Sequence, residues 1–141
     1  MFANARKEAN MKRKIYDKLL DWKRRDNGSC ALLIEGARRV GKSYIVEAFA
    51  KKEYRDYVLI DFSKVDARIK YVFKTYMSNL DEFFENLSVA LERRFAKRET
   101  LFIFDEVQSF PIARQAIKHL VADGRYDYVE TGSLISIREN V

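Results

Sequence analysis

The apolar positions of the chain change period several times, and each change marks an element. Over residues 10–25, Met11, Ile15, Leu19 and Trp22 recur at helical spacing among charges, which predicts an amphipathic helix stopped by Asn27-Gly28. Cys30-Ala31-Leu32-Leu33-Ile34 is then an unbroken apolar run, as expected of a strand covered on both faces of a parallel sheet. Ile45, Val46 and Phe49, with Ala48 and Ala50, predict a helix from Ser43 to about Lys52, and Tyr57–Asp61 reads as a second strand. Residues 62–77 show less order, with a helix around Ala67–Tyr76. Ser78 stands where it can cap the next helix, whose Leu80, Phe83, Phe84, Leu87, Leu91 and Phe95 form a stripe aimed at the core. Leu101–Phe104 is a third buried strand that ends on Asp105-Glu106. Pro111 opens a helix that buries Ile112, Ala116, Ile117, Leu120 and Val121 and runs to Gly124. Tyr126–Thr131 is a fourth strand, read as weaker because acids alternate with its apolar residues. Strands alternating with helices predict right-handed crossovers and a doubly wound α/β fold on a parallel sheet.

Length and charge narrow this picture. With 141 residues, 48% of them hydrophobic and 34% charged, the chain has the size of one domain and enough apolar surface for a core. No run of roughly 18 apolar residues exists and the first residues lack the apolar centre of a signal peptide, so a cytoplasmic protein with no membrane partner is expected. One cysteine and one histidine, Cys30 and His119, offer neither a disulfide nor a zinc ligand set. Cys30 is expected to be a small buried hydrophobe, His119 a surface or satisfied residue without a catalytic role, and Trp22 a packing residue in preference to one near a bound adenine. The net charge of +6 resides wholly in residues 1–25, where nine basic residues face three acidic ones, while the remainder is neutral. The chain therefore divides into a basic N-terminal segment and helix, 1–25, and a core, 26–141.

The chemistry concentrates at the ends of the predicted strands. Gly36-Ala37-Arg38-Arg39-Val40-Gly41-Lys42-Ser43 matches G-x-x-x-x-G-K-[ST] at every fixed position, between a buried strand and a helix. Glycines allow backbone N–H groups to curl around a phosphate, and the helix N-terminus adds partial positive charge. Lys42 would reach the β- and γ-phosphates, the Ser43 hydroxyl would hold Mg²⁺, and Tyr44 follows within the same nucleotide-binding stretch. Asp105, at the C-terminal edge of a strand, can hold the Mg²⁺ coordination sphere, and Glu106 can take a proton from an attacking water. Asp105-Glu106-Val107-Gln108 lacks the Asp-x-x-Gly of a GTPase, so ATP is the expected nucleotide. An Asp-Glu pair also favours hydrolysis over kinase chemistry, for which no arginine-rich lid is found. Thr131-Gly132-Ser133 closes the fourth strand; if that strand lies between the other two, Thr131 or Ser133 can sense the γ-phosphate.

Together these three motifs, in this order, resemble the bacterial and archaeal ATPases of the AAA+ class, over about residues 10–141. The resemblance implies a P-loop NTPase three-layer sandwich that binds ATP at Gly36–Ser43, Mg²⁺ at Ser43 and Asp105, and hydrolyses through Glu106, with Thr131 or Ser133 as sensor. It also places Gln108 near the site, with no role attached. In that layout a fifth strand and a helical lid follow the Thr-Gly-Ser strand, so the chain reads as an N-terminal fragment truncated before both. The phosphate-loop strand then becomes an exposed edge that invites self-association or a protein partner, and ATP turnover is expected to be weak. Arg114, Arg125 and Arg138 are candidates for an arginine finger. The leading expectation is ATP hydrolysis coupled to movement of a partner or a C-terminal domain; the alternative is a nucleic-acid-binding module that uses residues 1–25, with ATP as a regulatory ligand.

Overall fold

The computed structural model describes residues 2–36 and 42–133. Helix α1 (Phe2–Asp26) is longer than its apolar stripe, since Ala, Arg, Lys and Glu extend it toward the N-terminus through propensity alone. Leu19 and Trp22 are fully buried, whereas Met11, expected on the same buried face, is 44% exposed. The Trp22 indole N–H donates to the Cys30 carbonyl at 2.9 Å, which fixes the turn into strand β1 (Leu32–Gly36). That strand begins two residues later than its apolar run. Cys30 is consequently exposed rather than buried, and its thiol donates to Asp26 Oδ2 at 3.0 Å.

The remaining elements are α2 (Lys42–Glu53), β2 (Asp56–Asp61), α3 (Ala67–Thr75), α4 (Leu80–Leu91), β3 (Thr100–Asp105), a 3-10 turn at Val107–Ser109, α5 (Pro111–Asp123) and β4 (Asp127–Ser133). Helix α4 is capped by Asn79, not Ser78, because it is the Asn79 side chain that accepts from the Glu82 N–H. Phe95 lies beyond the end of α4 and reaches the core from the following loop, where its ring meets Phe102 and Tyr126. Pro111 opens α5 and Gly124, at φ 81°, closes it.

All strand pairings are parallel, in the order β1-β4-β3-β2. Helices α1 and α2 cover one face, where Leu19, Trp22, Val46 and Phe49 meet Ile103 and Val129. Helices α3, α4 and α5 cover the other through an aromatic cluster that includes Phe62, Phe73, Phe104 and Tyr128. The result is a three-layer α/β sandwich. β4, read as the weaker strand, is instead buried along its whole length between β1 and β3, and β1 is an edge of the described sheet.

The acid that β4 carries at its start is neutralised by distant residues. Asp127 Oδ2 accepts from the Tyr54 hydroxyl at 2.5 Å, and its Oδ1 stands 2.8 Å from Arg98 Nη2. Burial pushes the Tyr54 hydroxyl far above the usual tyrosine range, and the bond to Asp127 acts in the same direction. Gly28, at φ 86°, lies against this latch: a Cβ there would meet the Arg98 guanidinium at 2.6 Å and Asp127 at 2.8 Å. Only glycine satisfies both the backbone and the space.

Candidate functional site

Parallel strands put the C-terminal ends of β1, β4 and β3 on one edge, and the three motifs meet there. Gly36 ends β1 and Lys42 opens α2; Ala37, Arg38, Arg39, Val40 and Gly41 between them lie outside the described residues. Lys42 is 3% exposed. Its ammonium donates to the Gly36 carbonyl at 2.9 Å and the Gly132 carbonyl at 2.8 Å, bridging the ends of two neighbouring strands. A buried ammonium is stable only with such acceptors, and here they are main-chain oxygens, with no acidic partner among the described residues. Tyr44 is 70% exposed at the first turn of α2, with Lys12 Nζ 5.6 Å from its ring centroid.

Asp105 is the centre of the arrangement. Its Oδ1 accepts from Ser43 Oγ at 2.7 Å and from Thr131 Oγ1 at 2.5 Å. Thr131 Oγ1 in turn accepts from the Glu106 N–H at 3.1 Å, so one buried hydroxyl ties the two acids together. The register explains the meeting: Phe104 pairs with Glu130, which sets Asp105 opposite Thr131 on the α2 face. β4 thus lies between the phosphate-loop strand and the acidic strand, the condition on which the sensor reading depended.

Glu106 has left-handed backbone, φ 52° and ψ 49°, which turns its side chain away from the direction a continuing strand would impose. Its carboxylate accepts from Gln108 Nε2 at 2.6 Å. Gln108 therefore positions Glu106, a contact that the sequence spacing did not show. Gly132 leaves room for it, since a Cβ at that position would stand 3.2 Å from Gln108 Oε1. Ser133 is fully buried and pairs in register with Gly36, and its hydroxyl has no partner among the described residues.

Two arginines can be placed. Arg125 precedes β4, at the opposite edge of the sheet, and is held by Asp81 and by Asp123, the latter at 3.1 Å; it is withdrawn from the edge where the three motifs meet. Arg114 is exposed on α5 beside Glu130 in a groove of about 770 Å³ on the other face of β4, together with Pro111, Lys118 and Val121. Burial pushes the Glu130 carboxyl up, against a smaller downward pull from Arg114. Arg138 lies outside the described residues. His119 is exposed, as expected, and Trp22 packs, as expected.

A family model described as AAA domain matches residues 29–140, which takes in all three motifs. No curated protein and no solved structure matches the chain. No helix among the described residues is long and apolar enough to cross a membrane.

Proposed function

Since the chain belongs to the AAA domain family, and so to the nucleotide-binding P-loop ATPases, we propose that it binds ATP with Mg²⁺ at the Lys42, Ser43 and Asp105 edge and hydrolyses it to ADP and phosphate. The observation that carries this reading is the single carboxylate of Asp105, which accepts from Ser43 of the phosphate loop and from Thr131 of the neighbouring strand. Hydroxyl and carboxylate oxygens 2.7 Å apart are the hard donors that suit Mg²⁺, so Ser43 and Asp105 fit the ion. Bound there, it would offset phosphate charge.

The chain's own residues supply the rest. Lys42 exchanges its two carbonyl acceptors for phosphate oxygens, charge-assisted bonds of the stronger kind. Backbone N–H groups from Gly36 through Gly41, and those of Lys42, Ser43 and Tyr44, line the phosphates at the start of α2. Glu106 accepts the proton of the attacking water, with Gln108 orienting its carboxylate. Thr131, bonded to both acids, is the sensor of the γ-phosphate; Ser133, buried beside Gly36, is the second candidate for that role. The cycle drives movement of a partner or of a C-terminal domain.

Glu106→Gln tests the chemistry. It keeps the shape and the Gln108 contact but removes the base, so turnover falls at least about 100-fold while ATP affinity stays within about threefold. Turnover equal to wild type removes Glu106 from the base role.

A further inference from the structure

The first half of α1 stands clear of the fold. Three contacts set its direction: Lys12 meets Tyr44, Tyr16 meets Phe49 and Lys23 meets Tyr54, so α1 and α2 run parallel from the nucleotide edge downward. About ten residues of α1, roughly 15 Å at 1.5 Å per residue, therefore extend past the start of α2 and beyond the edge that carries Lys42, Ser43 and Asp105. The described side chains there, Ala5, Arg6, Lys7, Ala9, Asn10, Met11, Lys12, Arg13 and Lys14, are all exposed.

Apart from Lys12, which turns toward Tyr44, the described cations of this half lie on its outer and lateral faces. At 100° per residue, Arg6, Asn10 and Arg13 point away from the face that buries Leu19 and Trp22, and Lys7 and Lys14 flank them. None of these cations enters an ion pair among the described residues. In the second half Asp17 and Asp21 join exposed Arg24 on the outer face, and Arg25 is bound by Asp21 at 2.8 Å. The outer face therefore changes from basic to mixed charge where the helix joins the sandwich.

We propose that this projecting half of α1 is a docking surface for the phosphate backbone of double-stranded nucleic acid. A lone α-helix has the width that the major groove admits, and guanidinium groups match phosphate oxygens two at a time. An acidic membrane is the poorer fit, because Met1, Phe2 and Met11 are the only bulky apolar residues before Ile15 and no apolar face continues along this half. Nucleic acid held by Arg6, Lys7, Arg13 and Lys14 would lie directly beside the nucleotide edge.

The test is a fluorescence titration of a mixed-sequence 20-base-pair DNA duplex with the whole chain at several salt concentrations. Four phosphate contacts predict a log–log salt slope of about −3.6, or roughly a 150-fold loss between 50 and 200 mM. R6A/K7A/R13A/K14A should flatten the slope by about 3.6 and weaken binding at least about 100-fold at 50 mM salt. Its ATP binding should equal wild type, which checks its folding and separates this proposal from the ATPase reading. K51A/K52A/K74A/K118A removes the same charge from exposed positions elsewhere and should leave the slope unchanged. Equal loss in both variants, no salt-dependent binding by wild type, or retention on phosphatidylserine vesicles in place of the duplex overturns the proposal.

Discussion

Thr131→Val removes one hydroxyl at nearly constant volume from a fully buried position, so its cost comes from hydrogen bonds and not from a cavity. Two bonds depend on that hydroxyl. The donation to Asp105 at 2.5 Å is charge-assisted and contributes about 1.5–3 kcal/mol. The Glu106 N–H, held at 3.1 Å, is left without its acceptor on a left-handed residue, at about 1 kcal/mol or more. Asp105 keeps the Ser43 donor, which limits the sum to about 3 kcal/mol. With a urea slope near 2 kcal/mol/M, the unfolding midpoint falls by about 1.5 M. Thr131→Ser keeps the hydroxyl and loses a methyl group, about 1 kcal/mol, or roughly 0.5 M. A valine variant with the wild-type midpoint, or a serine variant as unstable as the valine one, would refute the role assigned to this hydroxyl.

Two further perturbations probe the rest of β4. Burial holds the Glu130 carboxyl proton more tightly in the folded chain than in the unfolded one, so this group's favourable contribution is present at low pH and is lost as pH rises through the unfolded carboxylate range toward the raised folded value. Glu130→Gln should therefore raise Tm at pH 7, with the gap closing below about pH 4 in calorimetry; a gap that widens on acidification would reverse the sign. Gly28→Ala adds a Cβ at φ 86° against Arg98 and Asp127, and should cost about 2 kcal/mol or more by urea unfolding, whereas an unchanged midpoint would show that the latch yields freely.

The elements and the meeting of the motifs were readable because they rest on local pattern. Helical spacing located α2, α4 and α5, and strand-end acids with a phosphate loop indicated a shared edge. What escaped depends on residues far apart in the chain. Its acids made β4 read as the weaker strand, because Arg98 and Tyr54, which neutralise Asp127, come from other elements. Cys30 belonged to an apolar run, yet the bond from Trp22 to its carbonyl holds it in the turn before β1. Asn79 and Ser78 are both competent caps, and only the backbone path selects Asn79. In the candidate site the lysine, serine and acids were visible as a motif, whereas the Gly132 carbonyl under Lys42 and the Gln108 contact to Glu106 require the register of β4 against β1 and β3.

Calorimetric titration of ATP with Mg²⁺ into wild-type chain and Lys42→Ala tests the central claim most directly. Lys42 is the buried cation that bridges β1 and β4 beside the phosphate loop, so its loss should weaken ATP at least about 100-fold, near 2.8 kcal/mol, with near-UV circular dichroism unchanged. Equal affinity in the two proteins would contradict the assignment of this edge as the nucleotide site.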